Sequence, residues 1–390
     1  MSERPSAPTG TTTGPRRGTA TVLTLGVVAA LAFMPAVPDH RNGPVTPDAA
    51  ATPSADATDP TVTVLGDGST SDTGPQPGRP TPVRLKPGEQ PPQFVLFSFD
   101  APTEDDNHLF SRARTSAKAS GADVTFFLRG IDLLPATKRW QYQPPQHEAG
   151  TAAVPFPTDA QVRATLQQLG RAWLDGDEIA DGFIGQFCGP KGGRDWSTAD
   201  WQSEIGQGYS MVNFWKTGTG FTDLPPLPFD YQTELAGGRA PCLEGRPNLL
   251  PAEKDAGWRY DASSPGGTQR WPTQTDGIWD FPLQRIPDAS DAHEVLSTDR
   301  TPQTYQNAFD RVYHGSRAPL VIDTDLDPRH APELQSAETT MKDLCHRDGV
   351  RCVSFRQLAD WLDAQDPTVL DRLRALGPTS SPNWAAAVGP

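Results

Sequence analysis

The chain of 390 residues has few cationic side chains, and they are not clustered. It contains 34 Lys and Arg against 48 Asp and Glu, which gives a formal net charge of −14. A protein that binds nucleic acid, anionic lipid or teichoic acid through charge needs a basic patch, and this sequence has none. The composition therefore argues against these partners and is compatible with a neutral glycan.

Histidine is also scarce, and its spacing does not indicate a metal site. The seven histidines never occur as H-x-x-x-H, the spacing that places two imidazoles on one face of a helix. We therefore interpret each of them as a lone surface residue. No internal repeat is visible either.

Only one long apolar run is present, and it lies near the N-terminus. Residues 1–17 are polar and end in two arginines, and residues 18–38 form an uncharged, mostly apolar stretch of about 20 residues, enough to span a bilayer as a helix. One interpretation is a cleaved signal peptide with an A-x-A site at residues 30–32. We favour the other, an uncleaved membrane anchor, because the apolar run continues past that site. Both export the rest of the chain, and the arginine pair favours a cytoplasmic N-terminus.

Two segments have the composition of flexible chain. Residues 39–92 are rich in Pro, Thr, Asp, Ser and Gly and poor in large apolar residues. Such a segment buries too little apolar surface to offset an ordering entropy of about 1–2 kcal/mol per residue, so we predict a disordered linker. Residues 377–390 are predicted to be a flexible tail, which leaves one globular domain at residues 93–376.

The four cysteines of an exported chain imply an even set of disulfides. Four cysteines allow three pairings, and buried free thiols are the alternative. Cys345 and Cys352 enclose a short loop, which favours a bond between them.

Short apolar runs alternate with helical segments in the globular part. The runs are continuous rather than alternating and rich in β-branched and aromatic residues, as in strands buried on both faces of a parallel sheet. Capping boxes at Thr158 with Gln161 and at Ser354 with Gln357 predict two helix starts. The pattern predicts an α/β barrel. The runs lie at residues 94–99, 124–128, 278–279, 320–322 and 350–353.

Residues 176–189, Gly-Asp-Glu-Ile-Ala-Asp-Gly-Phe-Ile-Gly-Gln-Phe-Cys-Gly, have the frame of a zinc-binding segment without its histidines. They resemble the second motif of the polysaccharide deacetylases (carbohydrate esterase family 4), G-[HN]-E-I-[GA]-x-H-[STF]-x-x-H. Glu178 begins the matching stretch, and the two histidine positions hold Gly182 and Gln186. Neither residue offers the imidazole, thiolate or carboxylate that zinc takes. The zinc expected for the family has therefore lost its ligands.

Two further segments extend the resemblance. Residues 98–102, Ser-Phe-Asp-Ala-Pro, are similar to the first motif, T-F-D-D-G, whose first aspartate is the general base and whose second is a metal ligand. Asp100 stands at the first position and Ala101 at the second. Residues 238–242, Gly-Arg-Ala-Pro-Cys, resemble the third motif, R-x-P, whose arginine orients the catalytic aspartate. The resemblance thus makes Arg239 and Asp100 catalytic neighbours, with a helix-capping carboxylate and a purely structural ion pair as alternatives.

A fourth segment concerns sugar binding. Residues 277–282, Gly-Ile-Trp-Asp-Phe-Pro, resemble the motif W-[DE]-x-P, whose tryptophan lines the sugar groove. The resemblance implies substrate binding by Trp279 and Asp280. Trp279 is equally well explained as a core residue, since a large amphipathic ring is usually mostly buried.

The fifth motif supplies a catalytic histidine acid in the family. Residues 317–327 resemble it, and Asp325 stands at the histidine position. A carboxylic acid donates a proton only if its pKa is raised, and repulsion between neighbouring Asp100 and Asp325 would raise one of the two.

The resemblance also implies the architecture and the second disulfide. We expect an irregular (β/α) barrel of about seven strands, with functional groups at the C-terminal ends of the strands. The motifs that contain Cys188 and Cys242 come together in this fold, which implies a bond between them. Calcium held by Asp100, Asp181 and Asp325 is the alternative to a site without metal.

Three hypotheses about function follow. We favour an exported protein that binds N-acetylated glycans such as peptidoglycan or chitin-like oligomers without catalysis, because the zinc ligands are lost. The second is an active deacetylase with an atypical metal site or with a metal-free pair of Asp100 and Asp325. The third is a scaffold for protein contacts.

Overall fold

The computed structural model describes residues 62–284, 300–380 and 382–389. Strands and α-helices account for about half of these ranges. The strands are β1 Thr63–Leu65, β2 Thr70–Asp72, β3 Gln93–Asp100, β4 Thr125–Leu128, β5 Glu178–Asp181, β6 Gly237–Gly238, β7 Tyr260–Asp261, β8 Thr273–Thr275, β9 Ile278–Asp280, β10 Leu320–Asp325 and β11 Val350–Cys352. The α-helices are α1 Leu109–Ala119, α2 Asp159–Asp175, α3 Thr198–Asn213, α4 Trp215–Thr219, α5 Tyr231–Glu234, α6 Arg246–Asp255, α7 Pro302–Tyr313, α8 Ala331–Leu344, α9 Phe355–Asp363, α10 Pro367–Arg374 and α11 Trp384–Ala387.

The main sheet is a curled parallel sheet. Seven neighbouring strands, in the order β10-β3-β4-β5-β6-β7-β9, pair in parallel. β8 pairs antiparallel with β9 at one edge, and β11 pairs with the start of β3. Parallel strands need crossover connections, and helices supply most of them here. The predicted α/β barrel of about seven strands is confirmed.

A side chain bridges the two ends of the row of parallel strands. Gln284, which follows β9, accepts a hydrogen bond from the Val321 N–H at 3.0 Å and donates to the Pro319 carbonyl at 2.8 Å. Pro319 and Val321 border the free edge of β10. In a closed barrel, backbone hydrogen bonds join the first and last strands. Here the amide side chain of Gln284 makes the connection instead, so the barrel is irregular.

Strand β3 shows how the sheet separates core from site. Val95, Phe97 and Phe99 belong to the core between the sheet and its helices, whereas Phe94 and Leu96 belong to the core inside the barrel. Successive strand residues face opposite sides, so the even-numbered side chains face inward. The last two inward positions of β3 are polar, which places functional groups at the C-terminal end of the strand.

Both predicted capping boxes are present. The Thr158 hydroxyl accepts from the Gln161 N–H at 3.3 Å at the start of α2, and the Ser354 hydroxyl accepts from the Gln357 N–H at 3.3 Å at the start of α9. Each satisfies an N–H that has no partner within its helix.

The predicted disordered linker is wrong for residues 62–92. β1 and β2 form a hairpin, and the chain then runs along the barrel through specific hydrogen bonds. The Gln76 amide donates to the Trp173 and Asp177 carbonyls, and Arg79 pairs with Asp360 at 2.6 Å. A composition rich in proline and glycine hid these contacts, because backbone and polar groups make them rather than an apolar core.

The predicted flexible tail is also wrong for its described part. Residues 384–387 form α11, Val388 is buried, and the Val388 carbonyl accepts from the Gly88 N–H at 2.9 Å. The tail therefore packs against the segment that precedes β3.

Residues 1–61 lie outside the described residues, and with them the N-terminal segment 1–17, the apolar segment 18–38 and the first part of the linker. Within the ranges that the structure describes, none of the helices has the length and apolar character required to cross a bilayer.

Candidate functional site

Aspartates from two neighbouring strands meet at the mouth of the barrel. Asp325 of β10 is the register partner of Asp100 of β3, and Asp323 is the partner of Ser98. Alternate residues of a strand share a face, so all four side chains belong to the inward face of the sheet. Asp100 and Asp325 lie side by side, as the sequence predicted.

Arg239 connects these two strands from the end of β6. Its Nη1 donates to Oδ1 of Asp323 and, at 3.1 Å, to Oδ1 of Asp100, while its Nη2 donates to Oγ of Ser98 at 3.0 Å. The side chain is only 4% exposed, and its guanidinium carbon lies 4.1 Å from the centre of the Phe127 ring. The predicted contact between Arg239 and Asp100 is present, and Asp323 is a second acidic partner.

Asp100 and Asp325, the two aspartates at the mouth of the barrel, are easier to protonate than usual. Burial raises the pKa of Asp100 to about 7; repulsion from Asp323 and Asp325 adds to the rise, and Arg239 opposes it. Burial also raises the pKa of Asp325, against the opposing charges of Arg129 and His330. Asp100 retains 34% side-chain exposure. A proton near neutral pH is therefore available at this pair.

The positions of the family's metal histidines do not fit zinc. The Gly182 N–H donates to the Leu128 carbonyl at 2.7 Å, which extends the pairing of β5 with β4. A Cβ atom on Gly182 would lie 2.7 Å from the carbonyl oxygen of Phe127, so any side chain there requires the main chain to move. The Gln186 amide donates to the Gly182 carbonyl at 2.7 Å and is thus held by the backbone.

The calcium interpretation is wrong in its ligand set. Asp181 does not line the cavity that Asp100 and Asp325 border. It is buried, and its carboxylate accepts from the Phe183 N–H at 2.6 Å. No group of three or more His, Cys, Asp or Glu side chains within residues 62–284, 300–380 and 382–389 is placed to hold a metal ion. Glu178, from the same motif, accepts from the Thr125 and Tyr260 hydroxyls at 2.9 and 2.8 Å, which is a structural role.

Two adjoining cavities form a groove across the barrel mouth. The first has a volume of about 310 Å³ and contains Asp100, Arg239 and Gln186 in its lining. The second has a volume of about 330 Å³ and extends toward Phe156. The two share four wall residues, and an elongated ligand could therefore occupy both. The shared residues are Ala101, Arg129, Val154 and Asp325.

Strained backbone surrounds the first cavity. Five non-glycine residues in or beside its wall have positive φ angles between 55° and 61°, a region that L-residues seldom occupy. Such residues cost about 1–3 kcal/mol each and concentrate at functional sites. They are Ala101, Phe183, Gln186, Cys242 and Leu243.

The predicted substrate-binding pair is not at the groove. Trp279 is 3% exposed, packs in the core inside the barrel, and donates from Nε1 to Asp363 at 2.8 Å. Asp280 is buried and lies 3.5 Å from Arg246. Of the two interpretations of Trp279, the structure supports the core, because its side chain is buried and lines neither cavity.

Two residues of the site were missed in the sequence. Asp323 precedes Asp325 by two positions on one strand, so a D-x-D pattern at the end of a buried run was the available signal. Arg129 is the first residue after β4 and lines both cavities. Its guanidinium pairs with Asp132 at 2.7 Å and donates to the Thr103 hydroxyl at 3.0 Å.

Both predicted disulfides are confirmed. Cys188 bonds to Cys242 and Cys345 bonds to Cys352. The first bond joins the loop after β5 to the loop after β6, and both loops contribute to the first cavity. The bond thus holds two walls of the groove together.

Known proteins resemble this chain in structure rather than in sequence. No family model matches the sequence, and no curated protein matches it. In the comparison with solved structures, 23 chains match. One is described as a polysaccharide deacetylase from Mycobacterium smegmatis, with 14% identity, a TM-score of 0.44, and coverage of 73% of this chain and 94% of that one.

Two other matches come from Bacillus. A peptidoglycan deacetylase from Bacillus subtilis has 12% identity, a TM-score of 0.36, and coverage of 72% of this chain and 94% of its own. A CE4 family pseudoenzyme from Bacillus anthracis has 10% identity, a TM-score of 0.38, and coverage of 74% of this chain and 71% of its own.

The chain is similar to polysaccharide deacetylases and CE4 pseudoenzymes. Each of these TM-scores is below 0.5, so the similarity does not by itself define the fold. The strand order and the parallel register of the chain define it as a barrel.

Proposed function

We propose that this protein is a divergent polysaccharide deacetylase-like protein that binds a glycan in the groove without zinc-dependent hydrolysis. The observation that carries the proposal is the pair Gly182 and Gln186. The first has no room for a side chain beside the carbonyl of Phe127, and the second is bonded to the backbone. A zinc deacetylase needs the metal to polarise the acetyl carbonyl and to activate water.

The shape and lining of the groove support binding of an oligosaccharide. The volume of each of its two adjoining cavities already lies within the usual range for ligand sites, roughly 300–1,000 Å³. Phe156 offers a partly exposed aromatic ring in the second cavity, on which the apolar face of a pyranose can stack. Asp100, Asp325 and Gln186 provide polar groups for hydroxyl and amide contacts. Peptidoglycan and chitin-like oligomers are the glycans that we propose.

The location that fits this function is outside the cytoplasmic membrane. Export directed by residues 18–38, followed by anchoring or cleavage, would bring the barrel to the cell wall. Two disulfides agree with an oxidising compartment.

Blocking the groove tests the proposal. Val154 is a half-buried wall residue of both cavities, so Val154→Trp fills the groove without removing a polar contact. The matched control is Leu174→Trp, at a side chain 52% exposed on α2. We expect calorimetry with peptidoglycan fragments and N-acetylglucosamine oligomers to show binding that Val154→Trp weakens at least about tenfold and the control does not. Absence of binding to every glycan, or equal binding by both variants, would contradict the proposal.

A metal-free hydrolase is the second candidate, and the pKa of Asp100 favours it. With a pKa raised to about 7, Asp100 exchanges a proton readily at neutral pH beside Asp325. One carboxylate would take a proton from water as it attacks an acetamide carbonyl, and the other carboxyl would protonate the departing amine. Acetate release that Asp100→Asn abolishes, in the presence of a chelator, would establish this activity. No release from any N-acetylated glycan would exclude it.

A further inference from the structure

The groove has more acidic than basic side chains. Its two cavities are lined by five aspartates and three arginines, and Asp323 adds a sixth carboxylate behind Arg239. At full ionisation the groove thus carries excess negative charge. The aspartates are Asp100, Asp105, Asp132, Asp325 and Asp327, and the arginines are Arg129, Arg239 and Arg329.

Each arginine of the groove is already engaged. Arg129 pairs with Asp132 at 2.7 Å, and Arg329 pairs with Asp327 at 2.8 Å. Arg239 is shared between Asp323 and Asp100. Among the described residues, none of these guanidinium groups makes a direct ion pair with the last carboxylate between the two cavities, and Arg129 and His330 act on it only through their charge at a distance.

Asp325 is that last carboxylate. Among the described residues it has no ion pair within 4.0 Å, and its Oδ1 atom is buried without a hydrogen-bond partner. It stands in the wall that the two cavities share, next to Asp100 on the adjoining strand. A partly buried carboxylate without a partner is costly, and either a proton or a bound cation relieves that cost.

We propose that the groove selects sugars with a free amino group, whose ammonium lies against Asp325 and Asp100. The inference rests on the function proposed above and narrows the class of glycan: within such polymers, deacetylated and therefore cationic amino sugars bind more tightly than N-acetylated ones. An ammonium group carries a positive charge and three N–H donors, which match carboxylate acceptors. An acetamide offers a single N–H donor and no charge.

The geometry favours an organic cation over a metal ion. A transition metal needs several donors at fixed short distances, and the described residues contain no group of three carboxylate, imidazole or thiolate donors placed to hold one. An ammonium is satisfied by two carboxylates and a water. Its sugar ring can occupy the cavity of about 310 Å³, where the Gln186 side chain and the Ala240–Leu243 loop form the opposite wall.

Matched oligosaccharides test the inference. Calorimetry with the full chain compares a glucosamine tetramer with an N-acetylglucosamine tetramer at about pH 6.5, on the acid side of neutrality, so that more of the amine carries its proton. We expect the free-amine tetramer to bind at least about tenfold more tightly. Asp325→Asn should reduce that preference to less than about threefold, and Asp100→Asn, a second variant of equal volume, should reduce it in the same direction.

A control separates the site from the general acidity of the chain. Asp343→Asn removes the same charge from an exposed position on α8, and it should leave the preference unchanged. If both tetramers bind equally, the inference is overturned while the proposed function stands. If neither binds, the inference is overturned, and the proposed function is overturned as well only if the peptidoglycan fragments also fail to bind. Equal effects of Asp343→Asn and Asp325→Asn, or equal competition by oligolysine, would also overturn the inference, because the attraction would then not be specific to the groove or to the sugar.

Discussion

Nη1 of Arg239 donates to Oδ1 of Asp323, and this ion pair lies beneath the carboxylate pair of the groove. Ser98 reinforces it, since its hydroxyl donates to the same oxygen at 2.8 Å and accepts from Nη2 of Arg239. Arg239 thus fixes the ends of β3 and β10 relative to β6. The position of Asp100 depends on this buried ion pair.

Removing the cation should therefore be costly. We expect Arg239→Met to lower the free energy of unfolding by about 3–5 kcal/mol, because Asp323 would remain buried without a charged partner. Arg163→Met is the matched control; its partner Asp223 is 65% exposed, so the loss should be below about 1 kcal/mol. Urea denaturation of both variants checks this, and similar losses would contradict the role of the buried pair.

Truncation of the buried tryptophan should affect stability rather than binding alone. Trp279→Ala removes a core side chain and its bond to Asp363, so we expect a loss of about 3–5 kcal/mol. Trp140→Ala, at a side chain 62% exposed, should cost less than about 1 kcal/mol. Thermal and urea unfolding give the comparison. A stable Trp279→Ala variant with selectively weakened glycan binding would restore the groove interpretation of this residue.

The two disulfides should contribute unequally. Cys188 and Cys242 are 54 residues apart and Cys345 and Cys352 are 7 apart. The chain-entropy model gives about 4 kcal/mol for the longer loop and about 2 kcal/mol for the shorter one. Paired Cys→Ser variants, unfolded in urea, should follow this order. Only the variant that lacks the Cys188–Cys242 bond should also bind glycan more weakly, since that bond joins two walls of the groove. A larger loss of stability in the variant that lacks the Cys345–Cys352 bond would contradict the entropic account.

Stability should fall as the pH rises from about 5 to about 7. Burial raises the pKa values of Asp181 and Glu204 to about 7, from ordinary values of 3.8 and 4.5. In this window the folded chain keeps protons that the unfolded chain has released, so the free energy of unfolding decreases with pH and levels off above about pH 7. The pKa of Asp327 is instead lowered to about 2, so this residue makes the free energy of unfolding increase with pH. That contribution is confined to pH values below its ordinary pKa of 3.8 and does not affect the window from about 5 to 7.

Variants that cannot titrate identify the source of this slope. Asp181→Asn retains an oxygen for the Phe183 N–H, and Glu204→Gln retains one for the Ile184 N–H. Each should flatten the decline in stability, measured by urea unfolding at about pH 5, 6 and 7. A decline as steep in both variants as in the natural chain would assign it to other groups.

Much of the barrel could be predicted from the sequence, because most of its central strands are buried on both faces and therefore appear as continuous apolar runs. Continuous apolar runs predicted β3, β4, β9, β10 and β11, and two capping boxes predicted the starts of α2 and α9. The ordered part of the predicted linker was missed for a physical reason. Residues 62–92 are held by hydrogen bonds and ion pairs to distant segments, and no local pattern encodes them.

The site was predictable where a motif places a residue at the end of a strand. Asp100 and Asp325 were found in this way, and the parallel register explains why they meet. Asp323 and Arg129 were missed because their roles depend on partners from other strands. The burial of Trp279 follows from packing inside the barrel, which a local motif does not reveal.

Metal content is the most direct test of the central claim, that the groove works without a transition metal. The full chain, purified after expression with added zinc, should contain much less than one zinc ion per chain by mass spectrometry of the metal. It should also release no acetate from N-acetylated glycans in the same tube. About one tightly held zinc per chain, lost in Asp100→Asn and accompanied by acetate release, would contradict the account.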